Sequence, residues 1–543
     1  MNKKVLTIIP AAGRGSRMLS LTENCAKSMI PVANKPLIAH LLDQLIENKM
    51  EDVFIVVGYQ KDSIINYVDT FYKRKLNITY IEQTELLGLG YAIYLANKQI
   101  DVLKYDSVFI MLGDAIFNTN EIFKFNYSYV ACKYVNDFSR WCIAVKDSNN
   151  YLEELLDKPK DEPKDKLALI GAYYFDDIDL YLRSVNKAID SGIKIRNEFQ
   201  ISTAIENYLK EKRIKTLILG EDDWFDFGEL SEYNRNKKKF NQSRFFNNIC
   251  YGDNDTVFKS SSNYHKIQKE IMWYLALPKH LRKYCPSLVE YNLNDALASY
   301  ATEYCVGNSL QEMWLYNNLS FEDWSRILYK IFEMITNFKS NSIKSQITVQ
   351  KIIPRFNLKI FLEKQLKERV SLNELFENDI IINGINYDVN NLLSNLKEFD
   401  ISDNECQICH GDLVFSNIIY NSSLDSIKVI DPRGDFCGNI LYGDIRYDIA
   451  KLAQCIIGDY DYIVNDLFIL DDNGYKIYKE DNDKQQKLFD LLIKESGCDR
   501  KEILFITAIQ FITMIPLHAE NKDHQTMMKY KAIELLSEVF NEE

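Results

Sequence analysis

No stretch of the 543-residue sequence offers the roughly 20 consecutive apolar residues that a membrane-spanning helix needs, so no membrane insertion is expected. The opening Met-Asn-Lys-Lys-Val-Leu-Thr-Ile-Ile-Pro passes from a short apolar run directly into a glycine loop, which predicts a buried first strand and not a secretory leader. Positive charge is in deficit: the net charge of −13 excludes general affinity for nucleic acid or anionic lipid. Basic residues are then expected to concentrate locally, where phosphates bind. The 11 cysteines are scattered, odd in number and without framework spacing, which fits a reducing cytoplasm. Cys406 and Cys409 form a CxxC with no second pair, read as two core-facing thiols of a strand. Signs of disorder are also missing, since 46% hydrophobic and 26% charged residues are ordinary globular composition. A chain of this length predicts about three folding units.

What is present begins with alternation. Val5–Ile9, Val53–Val57 and Val108–Leu112 read as strands, and Pro36–Asn48 has helical periodicity. That pattern predicts an α/β domain with a mixed, mainly parallel sheet of Rossmann-like type over residues 1–235. Ligands of such sheets bind beyond the carboxyl ends of the strands, which is where Ala11-Ala12-Gly13-Arg14-Gly15-Ser16-Arg17 leaves the first strand. Its glycines let backbone N–H groups approach phosphate oxygens, and Arg17 adds an anion clamp.

An ordered series of later motifs carries a resemblance. Lys27 stands at the spacing of a Pro-Lys motif, Val57-Gly58-Tyr59 ends the next strand, and Gln83 precedes Leu87-Gly88-Leu89-Gly90-Tyr91-Ala92-Ile93. Leu112-Gly113-Asp114, Asp157-Lys158-Pro159, Gly171, Glu198 with Thr203, and Trp224-Phe225-Asp226-Phe227-Gly228 follow. Together they resemble the sugar-phosphate nucleotidyltransferases of the glucose-1-phosphate uridylyl- and thymidylyltransferase kind. The resemblance implies attack of a phosphate monoester on the α-phosphorus of a nucleoside triphosphate, with pyrophosphate leaving. Asp114 and Asp226 would hold Mg²⁺, Arg17 and Lys27 would cover the triphosphate, and Lys158 would meet the incoming phosphate. Ala11, Ala12, Gly13, Gly15, Gln83 and Gly88 would bind the nucleotide, and Gly171 and Glu198 the sugar. Gln83 implies a pyrimidine base, leaning to UTP or dTTP, with CTP also open. The sequence departs from the pattern at Ala26, Tyr91, Trp141-Cys142 and Glu229, which puts a common hexose acceptor in doubt. Hexapeptide repeats, which follow such domains in many relatives, do not appear.

Asn234–Phe246 is polar, basic and without apolar periodicity, so 236–243 reads as a linker and Lys237-Lys238-Lys239 as a solvated helix end. Beyond it, 244–543 resembles the aminoglycoside-phosphotransferase and choline-kinase superfamily. The resemblance implies a two-lobed α+β, protein-kinase-like domain with lobes of about 244–305 and 306–543. It rests on Lys259 in a short strand, Glu270 in the helical Lys266–Leu275, the stretch from Tyr300 to Gly307, His410-Gly411-Asp412 … Asn417, and Asp431. Lys259, held by Glu270, would neutralise the α- and β-phosphates of ATP, and Asp412 would accept a hydroxyl proton. Asn417 and Asp431 would chelate Mg²⁺, Glu303 and Cys305 would hold the nucleobase through the backbone, and Asp448 would brace the loop. Asp431-Pro432-Arg433-Gly434 departs from the choline-kinase pattern, which weakens choline as a substrate and leaves Arg433 as a phosphate or substrate ligand. Asp444 and Arg446 read as a structural ion pair, and Tyr460–Phe468 as core. Phe321–Phe338, Ile360–Leu375 and Gln485–Ser496 read as helices.

The two halves suggest one cytoplasmic bifunctional enzyme for surface-glycan precursors: a kinase phosphorylates a sugar or polyol with ATP, and a transferase activates the product. The alternative is a choline- or ethanolamine-type kinase fused to a cytidylyltransferase. Expected partners are small-molecule substrates alone, with self-association into a homo-oligomer left open.

Overall fold

Val-Leu-Thr-Ile-Ile-Pro becomes β1 (Val5–Pro10), a strand with no exposed residue at the middle of a nine-stranded sheet. An apolar run without polar alternation is what a strand covered on both faces requires. Parallel neighbours flank it: β2 (Asp52–Val57) in the register Ile8↔Phe54 and β4 (Ser107–Met111) in the register Ile8↔Ile110, with β3 (Asn77–Glu82) outside β2. The sheet turns mixed beyond β4, where β6 (Leu167–Phe175) runs antiparallel to it, all nine residues buried. Helices α1 (Leu37–Glu47) and α2 (Leu89–Asn97) bury Leu41, Leu42, Ala92 and Ala96 against this sheet's surroundings. The first domain is thus mixed α/β with a parallel centre.

The computed structural model describes residues 4–22, 25–240, 248–252, 256–261, 263–294, 298–317, 319–349, 357–369, 380–402, 406–479 and 482–541. The chain divides into two units, Met1–Asn241 and Gln242–Glu543. The expected linker is partly something else. Residues up to Phe240 form α3 (Leu230–Phe240), in which Tyr233, Asn236 and Lys237 are buried. The Tyr233 hydroxyl donates to the Pro31 carbonyl at 2.9 Å, the Asn236 amide donates to the Asp226 carbonyl at 2.7 Å, and Phe240 packs edge-on to Phe225. These positions follow a helical period, but two of them are polar, so a search for apolar periodicity passes over them. Residues 241–243 of the expected linker lie outside the described residues.

The second unit opens with a four-stranded antiparallel sheet in the order Asn248–Gly252, β8 (Thr256–Ser260), β9 (Ser299–Glu303), Leu288–Asn292. Helix α4 (Tyr264–Ala276) lies between β8 and the remaining strands in sequence. After Glu303 the unit is mainly helical, with α5 (Phe321–Val349), α6 (Leu358–Arg369), α7 (Ile445–Ile456) and α8 (Arg500–Met514). The expected helix Ile360–Leu375 is thus seen to Arg369, and its remainder lies outside the described residues. Helix α7 is buried from Arg446 to Ile456 without interruption.

The expectation that no segment approaches membrane-spanning length needs correction. Arg500–His518 is long and apolar enough by length and composition, and 72% of its apolar window is buried inside the protein. Thr507, Gln510 and Thr513 break up the apolar run in the sequence. Each donates a hydrogen bond inside the core: Thr507 to Ile503, Gln510 to the Tyr447 carbonyl at 3.0 Å, and Thr513 to Gln510. Such bonding lets a helix be buried all round.

Candidate functional sites

In the first unit, two carboxylates far apart in sequence meet because short strands pair. β5 (Ala115–Phe117) and β7 (Trp224–Asp226) are antiparallel with Asp226 opposite Ala115, and the Phe227 amide donates to the Asp114 carbonyl at 3.0 Å. Asp226 is therefore carried to Asp114. Burial and the neighbouring Asp114 charge push the Asp226 carboxyl up to about 6. Burial also acts on Asp114, but the charge and hydrogen bond of Lys27, whose Nζ is 2.5 Å away, hold that carboxyl below its ordinary value. Two carboxylates that repel each other beside a cleft suit a divalent cation, whose charge would relieve the repulsion. Among the described residues no group of three or more acidic, His or Cys side chains could hold a metal, so substrate oxygens would complete the shell.

A cleft of about 230 Å³ takes in Arg17, Asp114, Arg140, Trp141, Lys158, Gly171 and Asp226. Gly171 has φ +89°, and a Cβ there would fall 2.9 Å from the Leu112 side chain. A second cluster gathers Ala12, Gly58 and Gln83: a Cβ on Gly58 would lie 2.9 Å from Ala12 and 3.1 Å from the Gln83 carbonyl. Gln83 is buried and donates its amide to the Glu85 carbonyl at 3.0 Å. Gly88, at φ +98°, stands against Glu198, with 2.7 Å between its would-be Cβ and that of Glu198. In the glycine loop Ala11 and Ala12 are buried, nothing lies within 4 Å of a Cβ on Gly13, and Gly15 backs on to Lys27.

Sequence reasoning missed Arg140. Its guanidinium is 3.0 Å from both Glu229 and Glu232, 4.0 Å from Asp226, and lies over the Trp141 ring at 5.0 Å. Glu229, noted only as a departure from the family pattern, also pairs with Arg17 at 2.8 Å. The signal was its charge, which stands where the family has a neutral threonine beside the anion-binding loop.

In the second unit, β8 delivers Lys259 to α4. Lys259 Nζ is 2.8 Å from Glu270 and 2.8 Å from Asp431, and the Tyr300 hydroxyl donates to Glu270 at 2.8 Å. Lys259 and Glu270 are both almost fully buried. Burial works against the Lys259 charge, yet the two carboxylates hold its pKa above the ordinary value. Asp431, with φ +59°, offers that bridge from a left-handed backbone position. Asn417 donates to the Asp412 carboxylate at 3.1 Å, and Lys451, another residue missed from sequence, lies 3.3 Å from the same carboxylate. Burial raises the Asp412 carboxyl, and Lys451, His410 and Lys266 together outweigh it, so the net direction is down. The Asp448 carboxylate accepts from the amides of His410 and Gly411, both at 2.7 Å, which ties the loop to α7. The Ile430 amide donates to Asn417 at 3.0 Å and the Arg433 amide to His410 at 2.9 Å, so the segment carrying Asp431 is fastened to the Asp412 loop. Asn417 and Asp431 offer two oxygen donors there, which is the number Mg²⁺ takes when phosphates supply the rest.

One expected nucleobase ligand is engaged internally: Glu303 donates its amide to the Ser287 carbonyl at 3.0 Å and its carboxylate accepts from Lys428, while Cys305 is partly exposed. Arg433 does not stand open to solvent: it rests on Phe361 and Tyr447. Asp444 and Arg446 do form a buried pair at 2.6 Å, extended to Glu502 at 2.7 Å. Of the CxxC thiols, Cys409 is buried but Cys406 is partly exposed.

The profile of the nucleotidyl transferase family matches residues 6–243. The bifunctional protein GlmU of Methanocaldococcus jannaschii is 33% identical over 224 residues, 41% of this chain and 50% of that protein. The chain thus spans about half the length of the first such relatives. UTP–glucose-1-phosphate uridylyltransferase AglF of Haloferax volcanii is 31% identical over 215 residues, covering 38% of this chain and 84% of that one. Among solved structures, a putative glucose-1-phosphate thymidylyltransferase from Bacillus anthracis aligns with 44% of this chain and 97% of its own, at 24% identity and a TM-score of 0.39. Through the domain that holds Asp114 and Asp226, the chain belongs to the nucleotidyl transferase family.

Proposed function

We propose that the chain performs two consecutive reactions: phosphorylation of a sugar or polyol by ATP in the second unit, and transfer of a nucleotidyl group from a pyrimidine nucleoside triphosphate to the resulting phosphate in the first. The observation that carries the first half of this reading is the convergence of Lys259, Glu270 and Asp431 on one charge cluster, fastened to the loop that carries Asp412 and Asn417. That set supplies each role phosphoryl transfer needs. Lys259 meets the α- and β-phosphates. Asp412, kept ionised by Lys451, accepts the proton of the attacking hydroxyl. Its carboxylate is aimed by Asn417, and the loop itself is aimed by Asp448.

In the first unit both reactants are anions, so positioning and charge neutralisation make up most of the barrier. Arg17 and Lys27 receive the triphosphate, Lys158 orients the phosphate acceptor, and an acceptor oxygen attacks the α-phosphorus as the bond to pyrophosphate breaks. Mg²⁺, held by Asp114 and Asp226 in the first unit and by Asn417 and Asp431 in the second, would supply neutralisation of phosphate charge. The product would serve as a precursor for surface glycans, made in the cytoplasm.

A quaternary-ammonium acceptor, as in the choline reading, would need open aromatic faces. One aromatic group near each site already carries a cation: Arg140 covers Trp141 at 5.0 Å, and Arg433 covers Phe361 at 5.0 Å. This supports the sugar or polyol side. The test is a panel assay with Mg²⁺, ATP, one of CTP, UTP or dTTP, and mixed sugars, polyols and amino alcohols, with products resolved by mass. A nucleoside-diphosphate conjugate built from an unphosphorylated acceptor is the expected result. Phosphate esters without any conjugate would end the sequential reading.

A further inference from the structure

Beside the loop that carries Asp412, hydrogen-bond donors and positive charge accumulate without a carboxylate at hydrogen-bond or ion-pair distance among the described residues. Arg433 packs directly on the residue before Asp412: a Cβ on Gly411 would lie 2.7 Å from the Arg433 Cβ and 3.1 Å from its Cδ. Its guanidinium lies 5.0 Å from the Phe361 ring centre and 5.6 Å from that of Tyr447. It donates to the Asp435 carbonyl at 2.9 Å and to the Tyr447 hydroxyl at 3.1 Å, both neutral groups.

Arg369 ends α6 on the same stripe as Leu358, Phe361, Leu362 and Gln365, the buried face of that helix. It stands one turn beyond Gln365 and two beyond Phe361, and has no ion pair among the described residues. Burial lowers its pKa, and the charge of Arg433, which rests on Phe361 of the same stripe, lowers it further. Gln365, only 5% exposed, has an Nε2 with no hydrogen-bond partner among the described residues. The described carboxylates of the neighbourhood pair with lysines, Asp435 with Lys269 at 2.5 Å, Glu368 with Lys364 at 3.7 Å, and Asp412 with Lys451 at 3.3 Å; the charges of Asp435 and Glu368 also act on Arg433 and Arg369, without an ion pair to either among the described residues. Two partly buried like charges and an unsatisfied buried amide are each unfavourable, and a bound anion relieves all three together. A planar guanidinium pair suits carboxylate or phosphate oxygens.

We propose that Arg369, Arg433 and Gln365 form an anion subsite beside Asp412, so that the acceptor phosphorylated in the second unit is a hydroxy compound already bearing a carboxylate or a phosphate monoester. The inference rests on the phosphotransfer reading above and narrows its sugar or polyol to an acidic one. The acceptor's hydroxyl oxygen forms the new bond to the γ-phosphorus, the bond from that phosphorus to the β,γ-bridging oxygen breaks, ADP leaves, and the hydroxyl proton passes to Asp412. The acid group remains unreacted in the subsite.

The full chain tests this in two independent readouts: calorimetric binding and ADP release, each with D-glycerate, glycerol 3-phosphate, ribitol and choline. At about 10 mM, a concentration that fills even a millimolar site, one of the two anions should bind and be phosphorylated. Preference for D-glycerate marks a carboxylate acceptor, and preference for glycerol 3-phosphate a phosphate one. Arg369→Gln should raise the KM for that anion at least about tenfold with kcat little changed, and Arg433→Lys, which keeps the charge against Gly411, should do so less. Failure of both anions to bind overturns the subsite, and phosphorylation of ribitol or choline in that case leaves the phosphotransfer reading standing. Anion binding that Arg369→Gln abolishes, without ADP release from any acceptor, overturns the acceptor assignment together with the phosphotransfer reading.

Discussion

Asp448→Ala should loosen the His410–Asp412 loop without touching any group that meets a substrate. The Asp448 carboxylate is the acceptor for two buried amides, those of His410 and Gly411, at 2.7 Å each. Alanine leaves both donors stranded, and an unsatisfied buried donor costs about 1–3 kcal/mol, so the two together cost about 2–6 kcal/mol. An opposing effect is the relief of burying a carboxylate, which is what lifts this group to about 7. That relief acts on global stability, whereas the stranded donors act on the loop itself, so local opening is the quantity to measure. Hydrogen exchange of the peptide spanning His410 and Gly411 should accelerate by at least about thirtyfold, the equivalent of the lower bound of about 2 kcal/mol. Phosphorylation should fall with it. Asp448→Asn keeps one acceptor and turns an amide toward the other donor, so it should fall between. Acceleration of less than about threefold in the alanine variant would show that the loop is held by other contacts, such as the bond from Trp273 Nε1 to the Cys409 carbonyl at 2.9 Å.

The same carboxyl gives a pH signature. Its folded value of about 7 lies above the unfolded value of about 3.9, so its stabilising contribution is full below about 3.9 and is lost as pH rises through about 7. Asp448→Asn, which cannot titrate, should flatten that part of the denaturation profile between pH 5 and 8. Asp114→Ala or Asp226→Ala should abolish pyrophosphate release and spare ADP release, and Asp412→Ala should do the reverse; loss of both activities in one variant would mean that the sites are coupled. Glu229→Thr frees Arg17 and Arg140 from a pair in which Arg17 is largely exposed, so the KM for the nucleoside triphosphate should drop by no more than about fivefold. Gly434→Ala places a Cβ 2.2 Å from the Lys269 carbonyl at φ +63°, so it should destabilise the second unit by more than the ~1 kcal/mol of a left-handed backbone alone, as read by thermal unfolding.

Residues whose chemistry needs a fixed type at a fixed spacing were legible before any coordinates. Lys259 and Glu270, or Asp114 and Asp226, are such cases, because a motif names both members and the sheet register only has to bring them together. The strands were legible for a different reason: β1 and β4 are continuous apolar runs that a doubly covered sheet demands. Residues whose meaning depends on what they pack against were hidden. Arg140, Arg369 and Gln365 belong to no motif, Lys451 stands in the Asp448 motif without a role of its own, and a charged or polar residue reads as solvated until its neighbours are known. Helix α3 was hidden because Asn236 and Lys237 hold it by polar contacts and ring packing, which a hydrophobic pattern does not register.

The two units handle their surplus cations in opposite ways, and this bears on how each meets its ligand. In the first, Lys27 is paired with Asp114, and Arg17 and Arg140 are paired with Glu229. An arriving triphosphate must therefore compete with internal carboxylates, and part of its binding energy goes into separating these pairs. A divalent ion between Asp114 and Asp226 would compete with Lys27 for Asp114, which would turn that lysine toward phosphate oxygens. Metal and nucleotide are then expected to bind with positive cooperativity. In the second unit, Arg433 donates only to neutral groups among the described residues, and its charge opposes that of Arg369. An anion arriving there displaces no carboxylate and ends a repulsion, so binding at that point should proceed without prior metal. Acceptor affinity measured with and without Mg²⁺ separates the two cases: tightening by the metal is expected for the nucleotide of the first unit, and near-indifference for the acid group of the second. Equal metal dependence at both would mean that the Arg369–Arg433 pair does not carry the acceptor's charge.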